Sequence, residues 1–82
     1  MPAPFSQQQV RVRTALLVFM KGVSSPLVLY FERPEDVYAE LKELIRTGVS
    51  KVIEKETIGP IRKITLMSNE ICAVALQDEQ FI

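Results

Sequence analysis

Few side chains in this sequence of 82 residues could carry out catalysis. The chain contains no histidine, so it lacks the commonest general base and the commonest ligand of transition metals. Its one cysteine, Cys72, lies between Ile71 and Ala73 in an apolar segment, where a thiol is typically buried and inert. We therefore predict no catalytic residue, no metal site and no cofactor.

Three pairs of polar residues have structural explanations that make an active site unnecessary. The first acidic pair suits the positive end of a helix dipole, and the second lies near the C-terminus, where solvent surrounds it. The serines lie in a turn, and no Ser-His arrangement can form without histidine. The pairs are Glu35 with Asp36, Asp78 with Glu79, and Ser24 with Ser25. These observations predict a protein that is not an enzyme.

Composition limits the classes of partner. Ten Lys and Arg balance ten Asp and Glu, so the chain lacks the basic surplus that phosphate-driven nucleic-acid binding requires. A neutral chain also offers little electrostatic resistance to self-association. The longest apolar run, from Ala15 to Met20, is far shorter than the roughly 20 residues of a membrane span. A lone cysteine cannot form an intrachain disulfide, and we predict a cytoplasmic protein with no membrane partner.

Hydrophobic periodicity predicts two strands in the first half of the chain. Val10 to Met20 alternates with period two, and its even positions are almost entirely apolar. The segment from Lys21 to Pro26 has turn residues, and Leu27 to Glu32 is rich in β-forming side chains. Together these segments predict a β-hairpin.

A helix is predicted from Pro34 to Thr47. Proline suits the first helical position because its missing N–H would have no partner there. Four apolar residues form one stripe, and Gly48 suits the left-handed conformation that ends many helices. The stripe consists of Val37, Leu41, Leu44 and Ile45.

Three further strands are predicted from Val49 to Ile58, Ile61 to Met67 and Ile71 to Gln77, the last as a separate strand or a bent continuation of the one before it. The expected fold class is α+β with ββαββ order, a small and mainly antiparallel sheet with one helix packed on one face. We expect residues 1–9 to form a flexible tail, 10–77 to form a single domain and 78–82 to fray.

A single helix cannot cover both faces of such a sheet. The face expected to meet the helix carries Leu16, Val18, Leu27, Leu29, Ile64 and Leu66. The opposite face carries the candidate interface residues Ala15, Leu17, Phe19, Val28, Tyr30 and Met67. This second face could remain exposed as an interaction surface, or the sheet could curve into a small barrel or roll and enclose it.

The favoured hypothesis is a small interaction or regulatory module that forms a homodimer, or docks a protein partner, through the second face. The alternative is a weak single-stranded nucleic-acid-binding module, in which aromatic rings stack on bases and arginines contact phosphates. Its residues would be Arg11, Arg13, Phe19 and Tyr30. A small-molecule pocket between helix and sheet is a third possibility, but it has no evident polar anchor.

Several segments between about residues 19 and 77 form a recognisable pattern: Pro26-Leu27-Val28-Leu29, Glu35-Asp36 with Tyr38, Gly48, Arg62 to Leu66, and Ser68 to Val74. In these segments the chain resembles a family of small cyanobacterial proteins of unknown function. The resemblance implies the same ββαββ order of elements and no particular activity.

Overall fold

A computed structural model describes residues 11–81 of the chain. The predicted flexible tail at residues 1–9 therefore lies outside the described residues. In chain order, the elements are β1 (Arg11–Met20), β2 (Leu27–Leu29), α1 (Pro34–Thr47), β3 (Val52–Glu56), β4 (Lys63–Met67) and β5 (Ile71–Phe81), with a 3-10 turn (Ser68–Glu70) before β5. The α+β class and the ββαββ order of the first five elements are confirmed.

Strands β1, β2 and β5 form one antiparallel sheet in the order β2-β1-β5. The alternation of β1 places Leu16 and Val18 on the face that packs against α1, while Leu17 points to the opposite face. Leu17 lies opposite Val28 on one side and Ala75 on the other. This register determines which residues share each face of the sheet.

The C-terminal segment differs from its prediction. Instead of fraying after Gln77, β5 continues to Phe81 and stays paired with β1. The N-terminal half of β1 extends past the end of β2, so β5 provides partners there for backbone groups that would otherwise have none. Side chains add to the pairing, because the Thr14 hydroxyl donates a hydrogen bond to Asp78 Oδ1 over 3.0 Å.

Strands β3 and β4 form a second antiparallel sheet, so the expected single sheet is wrong. The segment that follows β3 meets the end of β2 at an isolated backbone bridge between Tyr30 and Ile58. Ile53 and Leu66 lie opposite each other in this sheet and are buried in the common core. The second sheet therefore covers the same side of the molecule as the helix.

The helix follows its prediction at both ends. Pro34 occupies the first turn, and Gly48 ends the helix with a φ of 72°, in the left-handed region that glycine adopts without a Cβ clash. Leu41 is its most deeply buried residue, and Glu40 forms an ion pair with Lys55 of β3 at 2.6 Å. The buried core cluster consists of Leu16, Val18, Leu29, Phe31, Leu41, Ile53, Leu66 and Ile71.

A buried serine fastens the loop after the helix to the end of β4. The side chain of Ser68 is 2% exposed, and its hydroxyl donates to the Val49 carbonyl over 2.5 Å and accepts from the Lys51 N–H over 2.7 Å. The Ser68 N–H also donates to the Lys51 carbonyl over 2.8 Å. The Ser68 hydroxyl takes the place of a backbone partner for Lys51, so β3 begins at Val52 rather than at the predicted Val49.

We expect Ser68→Ala to lower the free energy of unfolding by about 1 to 3 kcal/mol, because it removes the two hydrogen bonds that the buried hydroxyl makes with Val49 and Lys51. Urea denaturation followed by circular dichroism measures the change. Asn69→Ala, at the exposed neighbouring position, is the control and should change stability little. Equal effects of the two substitutions would contradict the assignment.

Candidate interaction surface

The face of the first sheet that points away from α1 is the candidate site, and we call it the apolar sheet face. Its central row comes from β1, and the register places residues of β2 and β5 on either side. The apolar sheet face consists of Ala15, Leu17, Phe19, Val28, Tyr30, Ala73 and Ala75. Five of the six predicted interface residues thus lie together on one face.

No other element covers this face among residues 11–81. The helix packs on the opposite side of β1 and β5, and none of the seven residues belongs to the core cluster around Leu41. Leu17 and Phe19 are half-buried, and Val28 is 40% exposed. Ala15 is the exception, since its small side chain is fully buried beneath its neighbours and offers no contact to a partner. The described residues thus leave the face open rather than closed into a barrel.

The apolar surface continues past β2 onto the loop that follows β3. Ile58 and Ile61, which flank the Gly59-Pro60 turn, are both exposed. Together with Val28 and Tyr30 they line a shallow apolar cavity of about 180 Å³. Sequence reasoning missed this extension, because two isoleucines beside a turn carry no sign of which strand they will approach. Both residues were expected inside strands, from Val49 to Ile58 and from Ile61 to Met67, whereas β3 ends at Glu56 and β4 begins at Lys63.

Met67 lies elsewhere. It belongs to β4 in the second sheet, where it is exposed and faces Val52 of β3, which is 60% exposed. The buried pair next to it, Ile53 and Leu66, points to the core, so alternation directs Met67 to solvent on a different part of the molecule. The prediction placed Met67 with Leu17 because it assumed a single sheet.

Three polar side chains close one end of the apolar sheet face. The Tyr30 hydroxyl donates to Glu79 Oε1 over 2.8 Å, and Arg13 donates to the same carboxylate oxygen through Nε over 3.3 Å. Arg13 Nη2 also donates to the Tyr30 hydroxyl over 3.2 Å, and its guanidinium carbon lies 4.0 Å from the centre of the tyrosine ring. The cluster links β1, the residue after β2, and β5.

This cluster bears on the nucleic-acid alternative. The Arg13 guanidinium covers one face of the Tyr30 ring and is already paired with a carboxylate, so neither side chain is held ready for a base or a phosphate. Phe19 lies farther along β1, roughly 20 Å from Arg13 at about 3.3 Å per residue. The side chain of Arg11 lies outside the described part of the structure. Arg13, Phe19 and Tyr30 therefore do not come together as a preformed stacking platform.

The remaining chemical candidates form no site. The Cys72 thiol is exposed, so its expected burial is wrong. It lies 3.3 Å from the Phe19 carbonyl, to which it can donate a hydrogen bond. Residues 11–81 contain no group of three or more His, Cys, Asp or Glu side chains that could hold a metal ion. In the same range, no helix has the length and apolar character needed to cross a bilayer.

The polar cluster predicts an unusual titration of Tyr30. The hydrogen bond to Glu79 raises the pKa of Tyr30 above the ordinary tyrosine value of about 10, and the charge of Arg13 only partly opposes it. The folded state thus holds the phenolic proton more tightly than the unfolded chain. This contribution to stability is complete below about pH 10 and is lost as the pH rises through the raised pKa.

Ultraviolet titration of a Tyr38→Phe variant, in which Tyr30 is the one remaining tyrosine, should give a midpoint above pH 10. Adding Glu79→Gln should lower that midpoint, because the neutral amide no longer stabilises the protonated phenol as strongly. A midpoint that does not respond to Glu79→Gln would show that the hydrogen bond is absent in solution.

Comparison of the chain with protein-family models, with curated proteins and with solved structures finds no match. The resemblance to a family of small cyanobacterial proteins therefore stays a prediction, and the site rests on the geometry of this chain.

Proposed function

We propose that this protein is a small, non-enzymatic interaction module that self-associates through its apolar sheet face. The observation that carries the proposal is the asymmetry of the first sheet. One face is covered by α1 and shares its core, whereas the other presents Leu17, Phe19 and Val28 without cover from residues 11–81. An apolar surface of this kind usually serves as an interaction site.

A second copy of the chain is the partner that the charges favour. Between positions 12 and 80 of β1, β2 and β5, the charged residues that the register places on this side of the sheet are Arg13 and Glu79. These two residues form an ion pair with each other. The whole chain has no net charge. Two copies can therefore approach face to face without repulsion and without burying an isolated charge.

The shape of the face suits a two-fold contact. In a symmetric dimer the same patch meets itself, so large and small residues should lie side by side on each copy. The face has that arrangement, because Phe19 and Leu17 of β1 stand next to Ala73 and Ala75 of β5. A Phe or Leu of one copy can pack over the alanines of the other.

Other features are consistent with a protein that binds rather than catalyses. The chain has no histidine, and Cys72 contacts a backbone carbonyl rather than an activating cation. A cytoplasmic location belongs to the same proposal and is supported by a lone cysteine that cannot form an intrachain disulfide.

Val28→Asp tests the proposal. Val28 is 40% exposed in a single copy, so the substitution should leave the fold intact, but in a face-to-face contact it would bury a carboxylate on each copy. We expect association to weaken by at least about tenfold, because an unpaired buried polar group costs about 1 to 3 kcal/mol or more. Sedimentation equilibrium at micromolar concentrations should show the assembly mass fall by half.

Val52→Asp is the matched control, because it makes the same change at an exposed strand valine on the second sheet. It should leave the mass unchanged, and circular dichroism should show that both variants are folded. A wild-type protein that stays monomeric would disprove the proposal. So would equal masses for the two variants.

A further inference from the structure

The outer edge of β5 is a second surface without a partner in the described chain. The sheet order β2-β1-β5 places β5 at an edge, where it pairs with β1 alone along its whole length. Every other backbone N–H and carbonyl of an edge strand points outward, ready to pair with another strand. The opposite edge is different, since β2 has three residues and is followed by the Tyr30 bridge to Ile58.

Folded proteins usually protect long edge strands with lysine, proline, a bulge or a charged side chain. Strand β5 has no lysine and no proline. Its bulge lies near one end, where Phe19 pairs with Ala73 but Met20 pairs with Ile71, so Cys72 is the extra residue. Its acidic residues, Asp78 and Glu79, lie towards the other end. Between them, the segment Ala73-Val74-Ala75-Leu76-Gln77 is regular, uncharged and unprotected.

We infer that β5 pairs antiparallel with β5 of a second copy about a two-fold axis at Ala75, joining two three-stranded sheets into one of six strands. Ala75 is the midpoint of the regular, uncharged segment, and this register places Val74 of each copy opposite Leu76 of the other. Leu76 is 37% exposed in the single chain, so the pairing buries an apolar side chain that the helix leaves uncovered.

Neighbouring registers are less favourable. An axis at Val74 places the bulged residue Cys72 opposite Leu76, so regular pairing would extend only from Ala73 to Ala75. An axis at Leu76 places the Asp78 carboxylate beside Val74, on the same face as the half-buried apolar residues. The axis at Ala75 avoids both conflicts.

The edge contact goes beyond the proposed face contact, because it uses backbone groups of β5 rather than side chains of the apolar sheet face. A two-fold axis perpendicular to the sheet leaves both helices on one side and both apolar sheet faces on the other. The two contacts can therefore form at once, and together they build a tetramer from two edge-paired dimers packed face to face.

Cysteine cross-linking tests the register. The probes are Ala75→Cys and the matched Ala73→Cys, each in a Cys72→Ser, Val28→Asp background that removes the native thiol and the face contact. At the axis, opposed Cα atoms lie about 4.5–5.5 Å apart, within the span of a disulfide. The two Ala73 positions lie roughly 14 Å apart at about 3.3 Å per residue, which is too far.

Oxidation with copper-phenanthroline should yield a covalent dimer of the Ala75→Cys variant on a non-reducing gel, and little dimer of the Ala73→Cys variant. Absence of cross-linking at Ala75, or equal cross-linking at both positions, would overturn the inferred pairing.

Leu76→Lys tests the edge in the otherwise native chain, since it adds the lysine that protected edges carry. It should halve the assembly mass, whereas Val12→Lys should leave it unchanged. Val12 is 56% exposed on the same face of the sheet, but it lies on β1, away from the outer edge of β5. An unchanged mass with Leu76→Lys would overturn the edge contact.

The assembly masses of the variants distinguish failure of the face contact from failure of the edge contact. A mass that responds to Leu76→Lys but not to Val28→Asp would reject the proposed function and keep the edge pairing. A mass that responds to Val28→Asp but not to Leu76→Lys would do the reverse. With both contacts present, the double variant should be a monomer, a quarter of the wild-type mass.

Discussion

The pairing of β1 with β5 is the interaction on which the rest of the structure depends. It joins the beginning and the end of the described chain, from Arg11 opposite Phe81 to Met20 opposite Ile71. The ladder provides the surface on which α1 packs, and it extends the sheet where β2 is too short to do so. It also determines that Leu16 and Val18 are core residues while Leu17 and Phe19 face outward.

As a result, the two sides of the first sheet differ in how well their apolar residues are covered. The helix and the second sheet both pack on one side of the ladder, where they share the cluster around Leu41. On the other side, the polar cluster of Arg13, Tyr30 and Glu79 closes one end, and no helix or further strand among residues 11–81 packs over the apolar residues. A chain of this size has too few elements to cover both faces of a sheet, so oligomerisation is a natural way to bury the second.

Local signals allowed the helix to be predicted from end to end, because Pro34, Gly48 and the apolar stripe are all read within one short segment. The partners of the strands could not be read in this way. The alternation of β4 shows that Leu66 and Met67 point in opposite directions, but not which sheet they belong to. The role of Ser68 was missed for the same reason, since its partners at Val49 and Lys51 approach only after folding. The expected fraying of residues 78–82 was wrong for the same reason, since the partners of Asp78 and Glu79 on β1 are equally distant in sequence.

The same ladder has a consequence for how the chain folds. Because Arg11 pairs with Phe81, β1 cannot complete its sheet until residue 81 has left the ribosome. Contacts between residues so far apart in sequence close slowly, and until then the N-terminal half of β1 lacks its partner strand. Until β5 is made, the unpaired backbone of β1 is therefore an exposed strand edge, the kind of surface through which incompletely folded chains aggregate.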